Sequence, residues 1–144
     1  MQIEFFNQAS EPLPLLTDDV FKNPVNEVSD FIDTIEDSGG IILATPIYHN
    51  SFTGLLKNTL DYLNSQSYKP VGMLSTDSGL RSTQALDALL PVVCSLHMTP
   101  IPTRVCATNN DFDENLQITN PKIQDRVELF CDELIWYMEK LFEE

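Results

Sequence analysis

Two short polar loops hold most of the residue types in this chain that could do chemistry. One is Thr45 to Phe52 (TPIYHNSF) and the other is Thr76 to Arg81 (TDSGLR). Both are rich in backbone donors, hydroxyls and amides, and Tyr48 adds a flat aromatic face. This composition suits a planar ring with polar edges better than a metal ion or a covalent acyl intermediate. We therefore predict a ring-binding site and no metal site.

The elements around the first loop position it at the end of a buried strand. The run Ile41 to Ala44 is apolar, too short for a helix, and bounded by Gly and Pro, which indicates a strand. Thr53 can cap a helix that runs to about Asn64. Lys57 and Asp61 would form an i,i+4 pair on that helix. A leucine stripe on its other face would face the core or a subunit interface: Leu55, Leu56, Leu60 and Leu63.

The second loop is placed in the same way. It follows a predicted strand at Val71 to Ser75 and precedes a predicted helix from about Ser82 to Leu96. Pro91 lies inside the helical pattern and should kink the helix. Both loops thus follow the carboxyl ends of strands, where ligands bind in open parallel sheets.

Four further segments complete the predicted α/β pattern. Ile3 to Phe6 (IEFF) is predicted as a short buried strand, and Asn26 to Asp37 as an amphipathic helix. A fourth strand is predicted at about Thr103 to Ala107. Asn120-Pro121 marks the start of a long final helix. Strands that alternate with helices predict a three-layer α/β fold with a parallel sheet.

Composition narrows the class of protein. A chain of 144 residues suits a single domain, 1–144. The net charge of −14 disfavours binding to nucleic acid or to an anionic membrane. We find no apolar run of 18 or more residues and no signal-peptide pattern, so we expect a cytoplasmic protein. The three cysteines are predicted to be buried and inert. The acidic clusters, including Asp111 to Glu114, are interpreted as solvated faces or a docking surface for a redox partner.

The segment ATPIYHNSFTGLLKNTLDYL resembles the signature of the NAD(P)H-dependent FMN reductases, a flavodoxin-like family with a TP-x-Y turn followed by a Gly-x-Leu-Lys helix. The resemblance continues through KPVGMLSTDSGLRSTQALDALLPVV. It implies a flavodoxin-like fold, FMN and NAD(P)H as cofactors, and a small-molecule electron acceptor. It also implies a homodimer or homotetramer.

The resemblance implies which residues meet the flavin. The first loop would hold the edge of the ring through Thr45, Pro46, Ile47, Tyr48, His49 and Asn50. Ser75, Asp77, Ser78 and Gly79 would line its other side. The family positions two rings for hydride transfer, so no side chain is named as a catalytic acid or base. Asp77 beside a flavin would disfavour an anionic reduced ring, or else would point to solvent.

Two cationic or titratable residues near the loops have open roles. Arg81 would bind the cofactor phosphate, or else cap a helix or form an inter-subunit salt bridge. His49 would be a surface residue, or else contact the nicotinamide or deliver a proton.

The chain also departs from the family pattern. Family members begin with a strand, a Gly-Ser-x-Arg-x-x-Ser loop for the FMN phosphate, and a helix, none of which precedes Ile3 here. We therefore expect an N-terminally shortened sheet. Three functions stay open: an NAD(P)H-dependent FMN oxidoreductase, a flavodoxin-type electron carrier, and a shortened non-catalytic relative that acts as an interaction module.

Overall fold

The centre of the molecule is a three-stranded parallel sheet in the order β1-β2-β3. The computed structural model describes residues 2–142, apart from the side chain of residue 142. The strands are β1 (Ile41–Pro46), β2 (Pro70–Asp77) and β3 (Thr99–Thr108). Each is longer than its predicted counterpart, because pairing extends to residues that flank the apolar runs. The parallel sheet is confirmed.

The helices follow the predicted pattern closely. They are α1 (Asp18–Lys22), α2 (Asn26–Asp37), α3 (Gly54–Leu60), α4 (Gln84–Ser95) and α5 (Pro121–Phe142), with a 3-10 turn at Asn109–Asp111. The predicted cap of α3 is confirmed, since the Thr53 hydroxyl accepts the Leu56 N–H at 3.1 Å. The Lys57–Asp61 ion pair is also confirmed. The short helix α1 was not anticipated, and α3 ends earlier than predicted.

Helices cover both faces of the sheet, so the three-layer flavodoxin-like architecture is confirmed. One core lies between the sheet and α2, α3 and α4. It contains Val28, Phe31, Ile41, Leu43, Leu56, Leu60, Val71, Met73, Leu86, Leu89 and Val93. The second core joins β3 to α5 through residues such as Val105 and Phe130. Phe130 lies directly over Gly72 of β2, where a Cβ would fall 2.2 Å from Phe130 Cζ.

The outer edge of β1 is open. Within residues 2–142 no strand pairs with that edge, and Ile42 on the α5 side of the sheet is 50% exposed. The strand predicted at Ile3 to Phe6 is wrong. This segment is irregular, and Phe5 is 86% exposed. The physical reason is that an extended segment becomes a strand only when a neighbour accepts its backbone hydrogen bonds. Phe6 instead packs on Phe31, with ring centroids 4.9 Å apart.

Two smaller findings concern the surface. The prediction of buried cysteines is wrong, because Cys94 and Cys131 are exposed and Cys106 is half-buried. In the described part of the chain, none of the helices combines the length and the hydropathy needed to cross a bilayer.

Candidate functional site

The first predicted loop forms a tight turn at the carboxyl end of β1. The backbones of Tyr48 and Ser51 exchange two hydrogen bonds of 3.0 Å each. The two residues between them have left-handed backbones, with φ of 51° at His49 and 62° at Asn50. Positive φ at both central residues is the geometry of a type I′ turn. Asparagine tolerates that conformation better than most residues, which accounts for its place here.

Hydrogen bonds tie this turn to the neighbouring elements. The buried Thr45 hydroxyl donates to the Pro46 carbonyl at 2.9 Å and accepts the Thr53 N–H at 3.1 Å. The Ile47 N–H donates to the Thr76 carbonyl of β2 at 2.8 Å. The turn is therefore held between the end of β2 and the start of α3, as a site on rigid elements requires.

The turn presents polar backbone groups to solvent. Tyr48, His49 and Asn50 are exposed, while Ile47 is half-buried. As far as residues 2–142 show, the backbone N–H groups of His49 and Asn50 have no acceptor. A planar ligand with carbonyl or imine groups along one edge could accept from them.

The second loop is shaped by its own aspartate. Asp77 Oδ1 accepts the N–H groups of Gly79 at 2.8 Å and Leu80 at 3.2 Å. Asp77 is half-buried, and its carboxylate stabilises the loop through these two hydrogen bonds, in a local turn typical of aspartate. Ser78 and Gly79 are exposed at its tip. The loop thus forms a compact rim. The Gly79 N–H donates to Asp77 within this rim and is not free to bind a ligand.

Ser75 lies below this rim, and its hydroxyl is buried without a partner. It is 2% exposed, and its Oγ makes no hydrogen bond within the described part of the chain. Ser75 pairs in register with Thr45, so the ends of β1 and β2 bring the two loops side by side. Buried polar groups are almost always satisfied, so this hydroxyl has room for a partner such as a water molecule or a bound ligand.

Arg81 points from the second loop toward the end of β3. Its Nη2 lies 2.9 Å from each carboxylate oxygen of Asp111, and its Nη1 donates to the Cys106 carbonyl at 3.1 Å. Of the roles considered for Arg81, a salt bridge is present, and it joins two parts of the same chain. Any contact with a cofactor phosphate remains a proposal.

Asp111 is a residue that sequence reasoning missed. It was assigned to a solvated acidic loop, which is wrong, since Asp111 is 2% exposed. Burial would raise the pKa of its carboxyl, but this is outweighed by hydrogen bonds from Thr108, Asn120 and Arg81, which lower the pKa to about 2. The Thr108 and Asp111 side chains cap each other's backbone N–H groups. The spacing Thr-x-x-Asp was the signal that could have found it.

A parallel sheet with helices on both faces and two adjoining loops at its carboxyl edge defines an open α/β protein, a class in which ligands bind at that edge. Residues 1–113 of the sequence match the family described as NADPH-dependent FMN reductase. The chain therefore belongs to that family, as its resemblance implied.

A sequence relative agrees with this assignment, and solved structures agree with the fold. The chain is 29% identical to the FMN-dependent NADPH-azoreductase of Staphylococcus aureus (strain USA300), over 96% of this chain and 79% of the relative. Among solved structures, it is similar to the flavoenzyme NAD(P)H:(acceptor) oxidoreductase FerB from Paracoccus denitrificans. The TM-score is 0.79 at 22% identity, over 95% of this chain and 81% of that chain. A further similar structure is the NADH:FMN oxidoreductase EMOB in its apo form, with a TM-score of 0.66 at 24% identity, over 90% of this chain and 69% of that chain.

The residues present fit the ring of an FMN cofactor. Free N–H groups at His49 and Asn50 match acceptors on a flavin edge, and the Ser75 hydroxyl lacks the partner that a ligand could supply. The exposed side chain of Tyr48 lies on the same turn. The structure thus gathers the sequence-predicted residues Thr45 to Asn50 and Ser75 to Gly79 at one edge of the sheet, whereas Arg81 turns away toward Asp111.

Proposed function

We propose that this protein is an NAD(P)H-dependent FMN oxidoreductase that reduces a small-molecule electron acceptor. The observation that carries the proposal is the left-handed turn at Tyr48 to Ser51, whose His49 and Asn50 N–H groups have no acceptor within residues 2–142; the unpaired hydroxyl of Ser75 lies on the neighbouring strand β2. Family membership and relatives described as FMN-dependent support it. The acceptor would be a flavin, a quinone, an azo compound or a metal ion.

The chain's own residues would bind and orient rather than exchange protons. When bound, FMN supplies hydride transfer between the nicotinamide and the acceptor. Thr45, Pro46 and Ile47 would fix the position of the ring edge, and the backbones of His49 and Asn50 would donate to it. Ser75, Asp77, Ser78 and Gly79 would form the opposing rim. Orientation of two stacked rings is the main contribution that such a site makes to the rate.

An anaerobic titration tests the proposal directly. We expect purified protein to quench the fluorescence of added FMN, and the bound flavin to bleach when NADPH is added. Riboflavin serves as the control ligand that lacks the phosphate. Binding without bleaching by NADPH would favour a flavodoxin-type electron carrier, for which the net charge of −14 would provide a docking surface. Absence of FMN binding would favour the non-catalytic interaction module.

The geometry of the turn gives a second test. Asn50→Val should weaken FMN binding about tenfold or more, because a β-branched residue costs roughly 1–2 kcal/mol in the left-handed region and shifts the turn. Asn50→Gly, which has no Cβ, should bind FMN more tightly than Asn50→Val. His97 has a φ of 53° just after α4, at the opposite end of the sheet. His97→Val should therefore destabilise the protein and leave the FMN dissociation constant unchanged. Equal loss of FMN affinity in both Val variants would contradict the role of the turn.

The assembly and location of the protein are part of the same proposal. We infer a homodimer or homotetramer of single-domain chains in the cytoplasm, with no nucleic-acid partner. The open edge of β1 and the exposed Ile42 and Leu55 support self-association, because an unpaired strand edge is a surface that other chains can cover. Light scattering of the purified protein would measure the assembly.

A further inference from the structure

The two edges of the sheet differ in how far they are closed to a further strand. At the β3 edge, Pro100 and Pro102 have no backbone N–H to offer, and the Arg104 carbonyl accepts the Nε–H of Arg126 at 2.6 Å. Prolines and charged side chains are the usual means by which proteins prevent an edge strand from pairing with another chain. The β3 edge is therefore blocked.

The β1 edge has no such block. Between Asp37 and Lys57 the sequence contains no Asp, Glu, Lys or Arg, and the proline in β1 is its last residue, Pro46. Within residues 2–142 no strand pairs with this edge, and no backbone group of another segment binds to it. One edge of the sheet is thus protected, and the other is left able to pair.

The sheet itself determines which groups of β1 face outward. The Ile47 N–H donates to the Thr76 carbonyl of β2 at 2.8 Å. Along a strand in a parallel pair, the N–H and C=O of one residue point to the same side, and those of the next residue point to the opposite side. The odd-numbered residues of β1 therefore face β2, while Ile42 and Ala44 direct both backbone groups outward. Pro46 ends this outward row, because it has no N–H.

The side chains along the open edge are apolar and partly uncovered. Ile42 is 50% exposed, and Ala44 is exposed beside it on the same face of the sheet. The protein carries a net charge of −14, so two copies repel each other over most of their surface. An uncharged edge strand is a place where two copies can approach closely, and its outward groups gain hydrogen bonds when they do.

We propose that β1 pairs antiparallel with β1 of a second copy, across a two-fold axis, to form one continuous sheet with three strands from each copy. Ile42 lies opposite Ile42 of the second copy, and Gly40 lies opposite its Ala44. In this register each outward N–H and C=O of these residues has a partner. Other registers bring Pro46 into the ladder or leave outward groups unpaired.

The two-fold axis also limits the size of the assembly. Pairing β1 with itself uses the open edge of both copies, and the edges that remain are the blocked edges of β3. Strand pairing therefore stops at two copies and does not continue into a fibre. The inference names the surface for the self-association proposed above, and it does not depend on the flavin chemistry.

Light scattering of edge variants tests the surface. Ile42→Lys places a charge in the open edge, so we expect a molar mass half that of the wild type. Ala44→Pro removes an N–H that points away from β2, so it should leave β1 paired with β2 and weaken the dimer about tenfold or more. Leu116→Lys is the control. Leu116 is 79% exposed on the loop after β3, and this variant should keep the wild-type mass. Circular dichroism checks that each variant folds.

A cysteine at position 42 tests the register. In a protein whose native cysteines are replaced by serine, Ile42→Cys should form a disulfide between two copies on mild oxidation. The Cα atoms of such a pair lie about 5.5 Å apart, which is within the range that a disulfide spans. Leu116→Cys, on an equally accessible residue, should remain reduced.

The outcomes separate this inference from the proposed function. Halved mass in Ile42→Lys, with an unchanged control, would support the β1 edge even if FMN did not bind. A wild type whose mass is unchanged in both edge variants would overturn the inference and leave the homo-oligomer in place. A monomeric wild type would overturn both, and would leave the edge to a strand from a different protein, while FMN binding and bleaching by NADPH could still be observed. Equal loss of mass in Leu116→Lys would show a general effect of added charge and would also overturn the inference.

Discussion

Asp111→Asn is expected to lower the free energy of unfolding by about 3 kcal/mol. The carboxylate is buried and accepts hydrogen bonds from the Thr108 N–H at 2.7 Å and from Asn120 Nδ2 at 2.6 Å. It also neutralises Arg81. An amide in its place keeps one acceptor but presents an N–H₂ group to donors, so buried partners lose their acceptor and the guanidinium loses its counter-charge. Because Thr108 and Asn120 bracket the turn before α5, the end of β3 and the start of α5 should loosen together.

The matched control is Asp113→Asn in the same acidic loop. Asp113 also accepts two backbone N–H groups, from Asn115 at 2.8 Å and Gln117 at 2.9 Å, but it is exposed. Water can replace those bonds, so the control should cost about 1 kcal/mol or less. Urea denaturation of both variants measures the difference. Similar losses in the two variants would show that burial of Asp111 contributes nothing.

The lowered pKa of Asp111 also predicts how the stability of the protein changes at low pH. Its pKa is lowered from 3.8 to about 2 in the folded protein. A carboxyl with a depressed pKa stabilises the fold fully above its unfolded pKa, and this contribution disappears as the pH falls toward the folded value. The difference in Tm between wild type and Asp111→Asn should therefore be largest above pH of about 4 and should shrink toward pH of about 2. A difference that stays constant across this range would contradict the assignment.

The sequence predicted the central part of the fold well, and the reason is local. Between Asn26 and Leu96 each element carries its own periodicity and boundary residues, such as Gly39-Gly40 before β1 and Thr53 before α3. The connections through α3 and α4 then place the strands side by side in a parallel sheet. Patterns of this kind depend little on distant contacts, so the elements they predict are the ones that the structure contains.

The predictions that were wrong concern features that depend on distant contacts. Ile3 to Phe6 has the composition of a strand. A strand also needs a neighbouring strand to pair with, and composition alone does not show whether that neighbour is present. Asp111 lies in an acidic run that looks solvated, but it is buried and pairs with Arg81, 30 residues earlier in the chain. A local pattern cannot show a partner at that separation.

The candidate site was predictable in outline only. The loops Thr45 to Asn50 and Ser75 to Gly79 were identified by their position after strands and by the family resemblance. The free N–H groups were not, because they follow from the positive φ of His49 and Asn50. That the Ser75 hydroxyl makes no hydrogen bond likewise depends on packing, which the sequence does not show.

The second large effect is expected at Gly72 in the middle of β2. Gly72→Ala should lower the free energy of unfolding by about 3 kcal/mol, because the new Cβ would lie 2.2 Å from Cζ and 2.6 Å from Cε2 of Phe130. Phe130 is buried at 1% exposure and packs in the core between the sheet and α5, so its ring has little room to move aside. Gly54→Ala is the control. Among the described residues no atom lies within 4 Å of a Cβ there, so this variant should be neutral or slightly stabilising.

A double-mutant cycle shows whether the ring is the cause. Phe130→Leu alone should cost about 1–2 kcal/mol through lost packing, but in the Gly72→Ala background it should cost far less or restore stability, because the smaller side chain removes the overlap. Urea midpoints of the four proteins give the coupling free energy. Additive costs would place the strain of Gly72→Ala in the strand backbone instead of in the contact with α5. A favourable coupling would show that α5 can lie close to the sheet only because position 72 has no side chain.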